Sequence, residues 1–214
     1  MSTPKTAPRT RYHHGDLRNA MVQAAVELAR TGGPEAVVLR EVARRVGVSP
    51  TAAYRHFSDA DALLNEVRRV ALGILADSIF AAVGTVPDDG DPGDVAVAWL
   101  RASAEGYIDF AVGHPCLFLT AFCRTSDGGT WDDGESFAET EAFQALRGLL
   151  DQVVATGRMP AERRAGADIA AWSAVHGFAG LLVDGVLNSL SPQERALARE
   201  RALDVIVRGL VGSD

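Results

Sequence analysis

The chain has 214 residues, 47% hydrophobic and 23% charged, a composition that supports a folded core and excludes a disordered or collagenous protein. No apolar run is long and uncharged enough to span a bilayer, the N-terminal MSTPKTAPRTRYHHGD lacks the apolar segment of a secretory signal, and the two cysteines (Cys116 and Cys123) are placed for a reducing cytoplasm rather than a disulfide. The net charge of −7 divides unevenly: residues 1–58 carry nine Lys/Arg against four Asp/Glu, and the remainder twelve against twenty-four. A basic head on an acidic body aims one surface at a polyanion, although uneven charge is also common in two-domain proteins.

Residues 1–11 hold prolines, threonines, Lys5, Arg9 and Arg11 with nothing to bury, which suits a DNA-following arm and a solubilising tail equally well. From Asp16 to Arg30, Leu17, Met21, Ala25 and Leu28 form one apolar helical face, with Asp16 at the positive end and Gly32-Gly33-Pro34 as the stop. Leu39 to Phe57, LREVARRVGVSPTAAYRHF, reads as two short helices about a turn. Leu39, Val42, Ala43 and Val46 give the first an apolar stripe, Gly47 supplies the turn, and Ser49 caps a second helix opened by Pro50. That is the pattern of a helix-turn-helix, which lays its second helix in the major groove. Thr51 and Arg55 share a face with Ala52 beside them, where a small surface and one arginine suit base edges; Tyr54 and His56 suit phosphates. The candidate DNA contacts are Arg40, Ser49, Pro50, Thr51, Ala52, Tyr54, Arg55 and His56. The plainer reading of the same spacing is a helical hairpin inside an all-α domain.

The run GVSPTAAYRHFSDADALL, Gly47 to Leu64, resembles the N-terminal signature of the TetR family of transcriptional regulators, the strong likeness covering Tyr12 to Leu64. Two positions depart from the family pattern. Ala60 stands where many members have a phosphate-contacting lysine, and Val38 where they often have threonine. The resemblance implies a three-helix DNA-binding domain over residues 1–58, then a linking helix and a helical ligand-binding and dimerisation domain over residues 59–214.

Ser58 and Asp61 resemble a capping pair that opens a long helix, Asp59 to Val83, with Leu63, Leu64, Val67, Val70, Leu72, Ile74 and Leu75. After the loop GTVPDDGDPG, further helices are expected over Asp94–Val112, Pro115–Arg124, Glu135–Ala155, Gly166–Ser189 and Pro192–Val211. No alternating strand pattern or internal repeat appears, so the fold class is all-α.

The middle of the body gathers aromatics. Trp99, Tyr107, Phe110, Phe118, Phe122, Phe143, Trp172 and His176 are the candidate lining of an effector pocket, although each aromatic taken alone is more often core. Trp172 followed by His176 and Gly177 resembles the Trp-x-x-x-His-Gly element of one TetR subgroup. Small residues at Ser173, Gly177 and Gly180 permit close helix approach; with Leu181, Leu203, Ile206, Val207 and Leu210 they suggest a four-helix dimer contact or packing within one subunit. His13-His14 and His114, Cys116 and Cys123 lack zinc-site spacing, and no nucleotide-binding or hydrolase motif is present, so no metal, cofactor or catalytic residue is expected. The expectation is a cytoplasmic, homodimeric, ligand-responsive regulator of double-stranded DNA. It would be a repressor released from a palindrome-like operator by a small apolar or amphipathic effector. The rivals are a helical enzyme or small-molecule-binding protein with a vestigial head, and a DNA-packaging protein.

Overall fold

The computed structural model describes residues 14–124 and 137–212, without the side chains of residues 14–16 and 188. The N-terminal arm, the placement of the Asp16 side chain and most of the Arg124–Gly134 loop lie outside the described residues. All regular structure among them is helical: α1 (His14–Gly32), α2 (Leu39–Arg45), α3 (Pro50–Ala53), α4 (Ala60–Val83), α5 (Pro92–Gly113), α6 (Pro115–Ala121), α7 (Glu141–Ala155), α8 (Ala167–Val183) and α9 (Pro192–Val211). No helix among them is long and apolar enough to cross a membrane.

Helix ends follow local chemistry, and several differ from the sequence reading. The Asp59 carboxylate, not Ser58, caps α4 by accepting the Ala62 N–H at 2.8 Å, while the Ser58 hydroxyl donates to Asp59. Asp91 caps α5 by accepting the N–H groups of Gly93 and Asp94, so the helix starts at Pro92. Helix α6 stops at Ala121, short of Arg124, and a 3-10 turn over Phe137–Glu139 precedes α7. Helix α8 stops at Val183; Gly185, with φ +81°, turns the chain into a 3-10 turn over Val186–Ser189. Helix α9 opens on a capping box, Ser191 with Glu194, followed by Pro192.

One buried cluster runs from Met21 and Val26 on α1, through Leu63, Val67, Leu75 and Ile79 on α4, to Ile108 and Phe110 on α5 and Leu203 on α9. Head and body therefore share a core. A second cluster joins Ala96 and Leu100 of α5 to Leu149, Leu150 and Val153 of α7, with Met159 and Ala167. Helices α4 and α5 pass close together at Gly106, where an added Cβ would stand 2.6 Å from the Ser78 carbonyl oxygen and 3.0 Å from the Ala82 Cβ. The Ser78 hydroxyl donates to the Gly106 carbonyl at 2.9 Å across the same contact.

Gly106→Ala should destabilise the protein by about 1–3 kcal/mol through overpacking of that crossing. Gly73→Ala, midway along α4 with nothing within 4 Å of its added Cβ, should be neutral or stabilising by about 0.5–1 kcal/mol. Urea unfolding followed by circular dichroism checks both.

Candidate nucleic-acid interface and an aromatic body

Helix α2 ends in a glycine turn. Gly47, at φ +74°, donates to the Arg44 carbonyl, and Val48 to that of Ala43 at 2.9 Å, which satisfies two end carbonyls. Ser49 then accepts the Ala52 N–H at 3.2 Å, and Pro50 takes the first helical position. Helix α3 is a single turn; Arg55 and His56 continue it through tighter bonds to Ala52 and Ala53. Its back is fixed by Ala53 and Phe57, both buried, against a head core that includes Val42 and Ala43. Its front carries Pro50, Thr51, Tyr54 and Arg55, all exposed, with Ala52 and His56 half-buried. Tyr54 is 50% exposed, so its hydroxyl is free to reach a partner outside the chain. Ser49 and Arg40 are exposed as well, Arg40 at the start of α2.

The positive field is narrower than the count of basic residues suggests. Arg44 and Arg45 both bind Glu41, Arg30 pairs with Glu27, and Arg18 and Arg69 share Glu66. Arg18 also lies over the Phe57 ring at 4.9 Å. The Arg44 hydrogen bond, with Arg45, holds the Glu41 carboxyl at a pKa of about 2. Among the described residues of the head, Arg40 and Arg55 are the arginines that make no ion pair.

In the body, six of the eight expected pocket residues meet. Tyr107 stands edge-on to Trp172 at 5.0 Å and to Phe118 at 6.2 Å, Phe122 meets His176 edge-on at 4.7 Å, and Phe143 lies 5.6 Å from Trp172. Phe137 joins at 4.6 Å from Trp172. The other two part company: Phe110 is buried beside His114, and Trp99 packs on the second core cluster, since eight residues place it about two turns, roughly 12 Å, along α5 from Tyr107. The Tyr107 hydroxyl and His176 Nδ1 are 2.7 Å apart. Burial raises the Tyr107 pKa, so the phenol keeps its proton, and burial lowers that of His176 against a smaller opposing pull from Asp184. A neutral His176 then accepts from Tyr107 at Nδ1 and carries its own proton on Nε2.

These rings fill the interior. The apolar pocket beside them is about 30 Å³, room for roughly one water, and of the eight candidates Tyr107 and Trp172 line it, with Ile79, Leu100, Ala104 and Val175. A larger cleft of about 610 Å³ opens between the α1–α2 connection and helices α6 and α8, and there Phe118, Phe122 and His176 form part of the wall.

The expected dimer residues divide too. Ser173, Gly177 and Leu181 are exposed on α8. Leu203 and Val207 are buried within the subunit, because α9 turns that stripe inward; its placement is fixed partly by Arg101, which binds Glu200 and Asp204, and by Arg199 on Asp109. Ile206 and Leu210 line the small cavity, and Gly180 lines the cleft. On α8 and α9 the large apolar side chains left in solvent are Ile169, Leu181, Leu197 and Val205; Phe80, Val112, Leu119 and Val186 are exposed elsewhere. Ile169, Ser173, Gly177 and Leu181 recur every four residues along α8. Both cysteines are free thiols, and no group of three or more potential metal ligands occurs among the described residues.

Residues 21–67 match the family described as bacterial regulatory proteins, tetR family, and residues 100–206, half the chain, match the tetracyclin repressor-like C-terminal domain. A helix-turn-helix regulator with a helical regulatory body is the class these matches define. The chain belongs to the TetR family, a family of non-enzymatic transcriptional regulators. The HTH-type transcriptional regulator BetI of Rhizobium meliloti (strain 1021) is 39% identical over 66 residues, 31% of this chain and 32% of that protein, so the chain aligns with about a third of this relative. A protein of unknown function from Rhodococcus sp. RHA1 has 25% identity and a TM-score of 0.66, over 95% of this chain and 100% of that one. A TetR variant from Acinetobacter baumannii AYE, in complex with minocycline, shares the fold at 16% identity and a TM-score of 0.61, over 90% of this chain and 91% of its own.

Because the folded His176 has a lowered pKa, the unfolded chain takes up a proton that the folded chain resists as pH falls below the ordinary histidine value of 6.5. Stability should therefore decline on acidification from that point. NMR titration should place His176 below 6.5, and His176→Gln should flatten the decline in urea midpoint; a titration at or above 6.5 contradicts the assignment.

Proposed function

We propose that this protein is a homodimeric, ligand-responsive transcriptional repressor that binds a palindrome-like operator and is released by a small apolar or amphipathic effector. The observation that carries the reading is the exposed turn from Ser49 to His56, held on a buried Ala53 and Phe57, with Arg55 in no ion pair among the described residues. In this reading Tyr54 and His56 anchor phosphates, Ser49 supports the turn, and Pro50, Thr51, Ala52 and Arg55 face base edges. Arg40 adds a backbone contact in place of the lysine that Ala60 replaces. The Trp172, His176 and Gly177 element, whose two rings both join the aromatic cluster, supports placement in the Trp-x-x-x-His-Gly subgroup. As the effector binds the released state more tightly than the DNA-bound one, DNA must reciprocally weaken effector binding.

The dimer contact in this reading is the open face of α8 and α9: Ile169, Ser173, Gly177 and Leu181 with Leu197 and Val205, an isologous twofold surface. A twofold arrangement presents two α3 turns to two half-sites.

Two outcomes are expected, with the operator obtained by selection from random duplexes. In fluorescence anisotropy at fixed salt, Tyr54→Phe and Arg55→Ala should each weaken binding by roughly 1–3 kcal/mol, and Arg55→Ala alone should relax base preference. Wild-type affinity in both variants would remove the assignment of this turn. The double substitution Leu181→Arg and Val205→Arg should give a folded monomer in sedimentation; an unchanged dimer would place the contact elsewhere.

A further inference from the structure

We infer that Arg18 of α1 is a positioning residue for sequence recognition: it makes no DNA contact of its own, and it sets the angle of the α3 turn by clamping Phe57, at the end of that turn, to Glu66 on α4. The inference rests on the regulator reading above and adds to it a residue, outside the turn, on which base discrimination depends.

A helix of four residues has too few internal bonds to hold a fixed direction by itself. Its direction comes from what it packs on. Within α3 the buried residue is Ala53, which offers a single methyl group. The larger anchor is Phe57, buried, whose N–H closes the turn on the Ala53 carbonyl at 3.1 Å. Two residues further on, the Asp59 carboxylate caps α4. The Phe57 ring therefore sits where the recognition turn hands over to the long helix.

Arg18 covers that ring. Its guanidinium carbon lies 4.9 Å from the ring centroid, inside the roughly 6 Å over which a ring face holds a cation. The same guanidinium donates to Glu66 Oε1 at 2.6 Å, and Arg69 takes the other carboxylate oxygen, also at 2.6 Å. Partial burial opposes ionisation of Glu66, but the hydrogen bonds from Arg18 and Arg69 hold its carboxyl below the usual range. One planar group thus joins α1, the end of the α3 turn and α4. An ammonium has no flat face to lay on the ring while it donates sideways. Arg30, Arg44 and Arg45 differ in kind, because each binds a carboxylate three or four residues away on its own helix and fixes no helix against another. Base reading tolerates displacements of only roughly 0.5 Å. A small swing of α3 about Phe57 takes Arg55 off a base edge, while phosphates stay within reach of flexible side chains.

The test compares the affinity of the full chain for the selected duplex and for random duplex of the same length, by fluorescence anisotropy at fixed salt. The variants are Arg18→Gln, Glu66→Gln, the two together, and Arg18→Lys. Arg18→Gln and Glu66→Gln change the charge of the head in opposite senses, so a field effect moves random-duplex affinity in opposite directions. Positioning instead lowers the ratio of selected to random affinity in both, by roughly tenfold, and the double variant loses no more than either single one. Arg18→Lys, which keeps the charge and loses the stack, should fall between Arg18→Gln and the wild type. Circular dichroism and the urea midpoint establish that each variant is folded at the assay temperature; if Arg18→Gln does not fold, Glu66→Gln and Arg18→Lys carry the test. An unchanged ratio, losses that add in the double variant, or ratios that shift in opposite directions overturn the inference. If the wild type selects a duplex and the ratios stay constant, only the role of Arg18 falls; if the wild type selects none, the regulator reading falls and takes this inference with it.

Discussion

Everything in this molecule leans on helix α4, which is buried along one side from its first turn to its last. Leu63, Leu64, Val67, Ala71, Leu72, Leu75, Ala76 and Ile79 recur at three- and four-residue intervals over its 24 residues, a length of roughly 36 Å. Its first turns pack on α1 and its last turns on α5, within one continuous cluster. At Gly106 the two backbones come too close for a side chain, and the Ser78 hydroxyl bridges them. A packed interior does not stretch. Movement of the body against the head must therefore take the form of a discrete repacking rather than a gradual bend.

The aromatic body is consistent with that stiffness. Tyr107, Phe118, Phe122, Phe143, Trp172 and His176 fill one another's space, and the small pocket beside them has almost wholly apolar walls. The hydrogen bond between Tyr107 and His176 satisfies the two polar groups that this packing would otherwise isolate. A ligand entering here would have to displace rings from favourable contacts.

Much of the fold was legible because its signals are local. The Gly47 turn, the Ser49 cap and Pro50 mark the helix-turn-helix within a few residues, and Ser191-Pro192 marks the start of α9 where the structure places it. Legibility failed where two local signals compete or where packing decides. Ser58 and Asp59 both suit a cap; Asp59 has the extended backbone that aims its carboxylate at Ala62, and Ser58 serves it instead. Gly185 ends α8 earlier than its apolar run suggests. Trp99 has the right chemistry for the cluster but lies about two turns away from Tyr107 along α5, beside the second core cluster. Leu203 and Val207 looked like interface because α9 has apolar residues on more than one face, and only its docking on α5 and α8 turns them inward. Ion pairing was likewise invisible from composition: it occupies Arg18, Arg30, Arg44 and Arg45, and among the described residues of the head leaves Arg40 and Arg55 outside any ion pair.

Native-state hydrogen exchange across α1, α4 and α5 tests the shared core most directly. If head and body are one packed unit joined by α4, the amides of Met21 to Val26, Leu63 to Val67 and Tyr107 to Phe110 should open with the same free energy and the same denaturant dependence. If the α1 and early α4 amides exchange through a separate, much cheaper opening while α5 stays protected, head and body are independently folded and α4 cannot transmit a discrete repacking between them.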